Sequence, residues 1–79
     1  MQDIISSLEA YVNNRVPPGG FLQAVLSNDL QGAFMRADSR NQIRLHGIVS
    51  YIYNNLPMNC YGSAIEVEKW LEGREGEDE

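Results

Sequence analysis

The sequence is poor in the residues that stabilise small domains through covalent or metal cross-links. Its 79 residues contain one cysteine, Cys60, and one histidine, His46. One cysteine excludes a disulfide within the chain, and this pair cannot form a tetrahedral zinc site unless carboxylates or a second chain contribute. A chain of this length buries only about 60% of its unfolded surface. By elimination we expect a homo-oligomer, with a monomer of efficiently packed helices as the alternative.

The sequence also lacks long apolar segments. No run approaches the roughly 20 apolar residues that a transmembrane helix needs. The first seven residues have neither the basic nor the apolar region of a signal peptide. An unpaired cysteine fits a reducing compartment. We therefore expect a cytoplasmic protein that does not bind membranes.

Acidic residues are concentrated at the C-terminus. Of eleven acids and six bases, residues 72–79 hold five acids and one base, which leaves six acids and five bases in the rest of the chain. We expect residues 1–72 to form a single helical domain and residues 73–79 to form a disordered acidic tail, because the tail has no apolar residue to bury. The near-neutral body argues against binding to nucleic acid, which usually requires a basic face.

Apolar residues recur at helical spacing, and no segment alternates with a period of two. This pattern predicts an all-α fold, a compact bundle of four to five short helices. The residues expected to begin or cap the helices, in chain order, are Asp3, Gly20, Asn28, Ser39 and Ser63. The fourth helix is the longest, and its apolar residues, from Ile43 to Leu56, occupy a wide arc. We expect it to be the central helix.

Catalytic motifs are missing from the sequence. It has no His-Glu-x-x-His, no Gly-x-Ser-x-Gly, no P-loop and no Cys-x-x-Cys. We interpret His46 as a solvated or packing side chain and Cys60 as a structural thiol. The sequence therefore predicts a non-enzymatic protein with no catalytic residue, no metal and no cofactor.

A phosphate-binding turn is one candidate for ligand recognition. Pro18, Gly19 and Gly20 immediately precede a predicted helix. Glycines allow close approach of the backbone to a ligand, and the unpaired N–H groups of a helix start attract anions. The alternative is a rigid turn that only joins two helices.

Three arginines provide a second candidate. Arg36, Arg40 and Arg44 are spaced four residues apart, and guanidinium groups bind phosphate with two parallel hydrogen bonds. Ordinary surface pairing with Asp29 or Asp38 is the alternative.

Tyrosines and an asparagine complete the predicted ligand-binding set. Tyr53 and Tyr61 could stack on a nucleotide base, although tyrosines at such positions are also common in cores and interfaces. Asn54 could hydrogen-bond a ligand or close the end of its helix.

Two loop-centred stretches carry a distinctive combination of residues. They are Arg15-Val-Pro-Pro-Gly-Gly-Phe-Leu-Gln-Ala-Val-Leu-Ser-Asn-Asp-Leu30 and Tyr53-Asn-Asn-Leu-Pro-Met-Asn-Cys-Tyr-Gly-Ser63, accompanied by Ala33, Arg36-Ala-Asp38, Asn41 and Trp70-Leu71. This combination resembles a widespread family of small phage and prophage proteins, and the resemblance covers residues 10–71. It implies a counter-defence role, by analogy with small phage proteins that sequester nucleotide messengers of bacterial immunity.

These residues and the resemblance support three functional hypotheses. The first is an oligomeric phage counter-defence protein, a sponge that sequesters a cyclic or ADP-ribose-type nucleotide in pockets where Arg36, Arg40 or Arg44 meet the Gly19–Gly20 helix start. The second is an inhibitor that binds a host defence protein through an exposed apolar or aromatic patch. The third is a small DNA-binding regulator in which the two helices joined at Asn28 imitate a helix-turn-helix.

Overall fold

Five α-helices and one 3-10 turn make up the part of the chain that the structure describes. The structure is a computed structural model that describes residues 1–76. The elements are α1 (Gln2–Asn14), α2 (Gly20–Leu26), α3 (Leu30–Arg36), α4 (Ser39–Asn55), the 3-10 turn (Met58–Cys60) and α5 (Ala64–Leu71). None of these 76 residues lies in a strand. The all-α prediction and the number of helices are therefore confirmed.

Helix α2 begins at Gly20, as predicted, whereas the starts of α1 and α3 differ from the sequence prediction by about one residue. Helix α1 begins at Gln2, so Asp3 lies in its first turn rather than at its cap. Asn28 does not cap α3 because it has a left-handed conformation (φ 63°). Its N–H bonds the carbonyl of Val25, which closes the end of α2. The cap of α3 is instead Asp29, whose carboxylate accepts from the N–H of Gly32.

The predicted caps of the last two helices have different outcomes. Asp38, not Ser39, caps α4, and its carboxylate accepts from the N–H of Asn41 at 2.8 Å. The predicted cap of α5 is confirmed, since the hydroxyl of Ser63 accepts from the N–H of Glu66. Both residue types cap helices well, so two adjacent candidates are difficult to distinguish from sequence.

The ends of the chain are joined by a buried polar network between α1, α5 and the 3-10 turn. The Tyr11 hydroxyl donates to the carbonyl of Cys60 at 2.7 Å. The indole Nε1 of Trp70 donates to the carbonyl of Tyr11 at 3.0 Å. Arg15 lies 4.4 Å from the Trp70 ring centroid and donates to the Trp70 carbonyl. These contacts span 49 to 59 residues of sequence and hold α1 against the C-terminal part of the fold.

Helix α4 is the longest element but not the central one, so that prediction is wrong. Only Ile48 and Ile52 of its 17 residues are buried, whereas Ile43 is 85% exposed. Helix α1 packs near Tyr51, and α2 packs near Val49 and Ile52. The opposite face of α4 has no neighbour among residues 1–76 that buries it. The core lies instead where α1, α2 and α5 meet the inner side of α4.

The predicted tail begins with an ordered contact. Both carboxylate oxygens of Glu75 accept from the Arg15 guanidinium, at 2.8 and 2.7 Å. This ion pair differs from the expectation of a segment without contacts. Residues 77–79, the rest of the predicted tail, lie outside the described residues.

Removal of the Tyr11 hydroxyl tests the buried network. We expect Tyr11→Phe to lower the free energy of unfolding by about 1–3 kcal/mol, because the Cys60 carbonyl loses its buried donor. Tyr51→Phe, which removes a hydroxyl from a half-buried tyrosine, serves as the control and should have a smaller effect. Urea unfolding followed by Trp70 fluorescence measures both. Equal losses in the two variants would contradict the assigned role of the Tyr11 hydrogen bond.

Candidate functional site

The predicted ligand-binding residues separate into three places on the surface. Gly20 and Arg36 lie together between α2 and α3, and Pro18 and Gly19 lie in the turn just before Gly20. Arg40 and Arg44 face α1 through Asp3. The remaining residues lie near the C-terminal end of α4 and in the following loop, and they are Tyr53, Asn54 and Tyr61. Within the described part of one chain, the predicted ligand-binding residues therefore do not line one common pocket.

Gly20 and Arg36 form the first of these places. A Cβ atom added to Gly20 would lie 3.5 Å from Cδ of Arg36. Gly19 has φ 94°, a conformation that favours glycine, and precedes the first residue of α2. Pro18 is half-buried in the preceding turn. The surrounding depression also contains Asp29, whose carboxylate opposes binding of an anion. Helix α2 has only seven residues, so its first N–H groups by themselves are a weak anion site.

Arg40 and Arg44 form the second place, and a carboxylate of the chain already occupies it. Both terminal nitrogens of Arg44 donate to Asp3 at 3.3 Å, and Nη2 also donates to Asn41. Arg40 lies 3.7 Å from the same carboxylate. The hydrogen bond from Arg44 lowers the pKa of Asp3 from 3.8 to about 2. A phosphate would have to displace Asp3 to bind both arginines.

The third place is a cleft between α2, α3 and α4, hereafter the tyrosine cleft. It has a volume of about 100 Å³ and is lined by Val25, Leu26, Asn28, Leu30, Val49, Ile52, Tyr53, Tyr61 and Gly62. The Tyr53 and Tyr61 rings meet edge to face with their centroids 5.0 Å apart. Asn54 is exposed beside Tyr53 but does not line the cleft.

Backbone contacts determine the position of the cleft's outer wall. The N–H of Gly62 donates to the carbonyl of Leu26 at 2.7 Å, which holds the loop against α2. Gly62 has φ 117°, a conformation that other residues rarely adopt. Tyr61 immediately precedes it, so this turn directs the Tyr61 ring towards Tyr53. The walls of the cleft are therefore held by contacts within the described chain.

Residue patterns did not mark three residues that make tertiary contacts. Two of them, Leu30 and Asn28, line the tyrosine cleft. The third, Arg15, does not line it and instead contacts Trp70 and Glu75. Arg15 has a left-handed conformation with φ 56°, which is uncommon outside glycine, asparagine and aspartate. The pairing of Arg15 with Trp70 and Glu75 depends on tertiary structure and has no signal in residue spacing.

Three further properties of the described residues bear on function: metal binding, membrane-spanning helices and the reactivity of the Cys60 thiol. No three of their His, Cys, Asp and Glu side chains are grouped where they could hold a metal ion. Within residues 1–76, no helix has both the length and the apolar character needed to cross a bilayer. Cys60 is fully buried, and burial raises the pKa of its thiol to about 11. This thiol is therefore protonated at neutral pH and weakly nucleophilic.

Comparison of the chain with protein-family models, curated proteins and solved structures finds no match. The resemblance of residues 10–71 to small phage proteins therefore stays a prediction.

The low pKa of Asp3 predicts a pH dependence for the contact between α1 and α4. Its ionised form is the stabilised one, so the contribution is present at neutral pH and is lost as pH falls from about 4 to 2. We expect Asp3→Asn to lower the thermal unfolding midpoint at pH 7 and to have little effect near pH 2. Circular dichroism at both pH values measures this, with Glu9→Gln on the exposed side of α1 as the control. An equal deficit at both pH values would exclude an ionic role for Asp3.

Proposed function

We propose that this protein is a non-catalytic binding protein that recognises a partner protein through the tyrosine cleft. The observation that carries the proposal is the size and lining of the cleft. Its volume is about 100 Å³, whereas sites for small organic ligands usually enclose roughly 300–1,000 Å³. The cleft is too small for a nucleotide, but one apolar side chain of a partner fits it.

The composition of the surrounding surface supports recognition of a protein. Residues 45–63 contain no aspartate, glutamate, lysine or arginine. Leu30 and Phe34 are each 51% exposed, and Tyr53 is 57% exposed. Leu30 and Phe34 are four residues apart and therefore share one face of α3. Depletion of charge and enrichment in aromatic residues are typical of the centre of protein interfaces.

An amphipathic helix is the partner element that best suits this surface. The part of the chain that the structure describes offers no strand edge to which an extended peptide could add. The aliphatic floor, formed by Val25, Leu26 and Ile52, suits an anchor such as leucine or phenylalanine. The resemblance to small phage proteins suggests a bacterial defence protein as the source of that helix.

A second candidate is sequestration of a nucleotide, because Arg36 does lie against Gly20. Two observations weigh against it. Arg36 lies in a different place from Arg40 and Arg44, and the carboxylates of Asp29 and Asp3 lie beside these arginines. A DNA-binding role has less support. Helices α2 and α3, with the turn between them, contain one base, Arg36.

Peptide display tests the proposed cleft even while the partner is unidentified. A library of helical peptides is selected on the full chain and then compared on Leu30→Glu and Met35→Glu. Both substitutions introduce a carboxylate on α3, but Leu30 lines the cleft whereas Met35 is 77% exposed and does not. Leu30 is the first residue of α3, where an acid is compatible with the helix dipole.

We expect selected peptides with spaced apolar anchors to lose at least tenfold in affinity for Leu30→Glu and to bind Met35→Glu as they bind the unchanged protein. Fluorescence anisotropy measures the affinities. Failure to enrich any peptide, or equal binding by both variants, would refute the proposal.

The nucleotide alternative has its own test. If Arg36 binds phosphate, a panel of cyclic and ADP-ribose nucleotides should raise the thermal unfolding midpoint of the protein, and Arg36→Ala should abolish the shift. Arg40→Ala and Arg44→Ala test the second arginine site in the same way. No shift with any nucleotide would remove this candidate and leave the protein-binding proposal in place.

A further inference from the structure

His46 lies on the flank of α4 that borders the tyrosine cleft. It precedes Val49 by three residues and Tyr53 by seven, and both of these residues line the cleft. At 3.6 residues per turn, Val49 is its next neighbour on the helix surface, and Tyr53 follows about 10 Å further along, within about 20° of the same line. His46 is exposed, so its imidazole lies on the rim of the cleft.

The same flank of α4 packs against α3. The side chain of Gln42, one turn before His46, donates from Nε2 to the carbonyl of Phe34 at 3.3 Å. Phe34 therefore lies at the Gln42 end of this flank, whereas Leu30 lines the cleft at the Tyr53 end. Leu30 and Phe34 are both 51% exposed. A partner helix that packs on both of them and inserts an anchor into the cleft also covers His46.

The charged groups of α2 and α3 are engaged away from His46. Helix α2 contains no ionisable side chain. The one ionisable side chain of α3, Arg36, lies against Gly20 and donates to the carbonyl of Gly32. The carboxylate of Asp29 accepts from the N–H of Gly32 on the same side of α3. Asp38 caps the start of α4, roughly 12 Å along the helix axis from His46.

The charges of α1 and of the first turns of α4 lie on the opposite flank of α4. Arg44 donates to Asp3 of α1, and Arg40 lies beside the same carboxylate. Glu9 lines a depression between α1 and that flank. Arg44 precedes His46 by two residues, which places it about 160° away around the helix. None of these described groups provides a counter-charge for a protonated His46.

We propose that the charge of His46 regulates binding at the tyrosine cleft, a role that rests on the proposed function. The partner helix binds while the imidazole is neutral and dissociates when the imidazole becomes an imidazolium. Residues 45–63 contain no aspartate, glutamate, lysine or arginine, so protonation places a charge on an otherwise neutral surface. An apolar partner that covers this charge removes its water without replacing it, which is costly.

The pH range of the effect follows from the chemistry of imidazole. It is the side chain that ordinarily changes charge between about pH 5 and 8. The titratable side chains at the cleft itself, Tyr53 and Tyr61, are phenols, a class that ionises only near about pH 10. The contact of Asp3 with α4 is lost only as pH falls from about 4 to 2. Acidification from pH 8 to 5.5 therefore changes His46 while these other groups keep their charge.

Fluorescence anisotropy between pH 8 and 5.5 tests this regulation. The probe is a helical peptide selected on the full chain at pH 8 that contains no aspartate, glutamate or histidine, so its own side chains do not change charge. We expect its affinity for the unchanged protein to fall about tenfold over this range, because the imidazolium must be desolvated. His46→Gln should bind equally at both pH values, and His46→Lys should bind weakly at both.

Two controls assign the effect to this position. Asn13→Lys adds a charge at an exposed position of α1 and should bind like the unchanged protein at each pH. α-Amino groups also titrate in this range, but that of Met1 lies 3.7 Å from Asp3 and is retained in every variant. His46 is exposed, so circular dichroism should show all variants folded at pH 8 and 5.5.

A constant affinity of the unchanged protein, a rise in affinity on acidification, or a pH dependence that persists in His46→Gln would each overturn the regulation by His46. These outcomes leave the proposed function intact as long as Leu30→Glu still weakens binding. Failure to select any peptide would overturn both.

Discussion

The hydrogen bond from Tyr11 to the Cys60 carbonyl is the contact on which the rest of the structure depends. It joins α1 to a turn 49 residues later in the chain. The next residues of that turn are Tyr61, which forms one wall of the tyrosine cleft, and Gly62, which bonds to α2. An unpaired carbonyl in this buried position would be costly. The same bond therefore stabilises the core and positions the surface proposed to bind a partner.

The fold could be predicted from sequence to a large extent because each helix has its own local signals. Apolar spacing indicates where helices lie, and residues such as Gly20 and Ser63 mark where they begin. The errors in the caps have a local cause as well. Asn28 adopts a left-handed conformation that ends α2. The next residue, Asp29, therefore caps α3. Such competition between the end of one helix and the start of another is not visible in residue spacing alone.

The candidate site was less predictable because its residues depend on tertiary neighbours. The regular spacing of Arg36, Arg40 and Arg44 suggested one cluster. Asp38 ended that regularity by beginning a new helix, and Asp3, from the other end of the chain, paired with the last two arginines. Tyr53 and Tyr61 were identified as a pair that could stack on a ligand. Their contact with each other, and the small volume beside them, could only come from the structure.

The placement of the shorter helices explains why α4 remains partly uncovered. Helix α1 packs near Tyr51 of α4, and α2 packs near Val49 and Ile52. The opposite side of α4, which includes the 85% exposed Ile43, has no such neighbour among residues 1–76. The wide apolar arc of α4 therefore predicted more burial than the fold provides.

The ion pairs within the chain affect which class of ligand it can bind. Arg15 is paired with Glu75, and Arg44 with Asp3, so these cations already have carboxylate partners within the fold. An anionic ligand at Arg15 or Arg44 would have to replace those contacts, whereas the residues that line the tyrosine cleft carry no charge. Association at neutral apolar surfaces is driven by removal of apolar area from water, which gives a negative heat capacity change and little dependence on salt. Nucleotide binding by arginines would weaken as salt increases. The salt dependence and the heat capacity change of binding therefore separate a protein partner from a nucleotide even before the partner is identified.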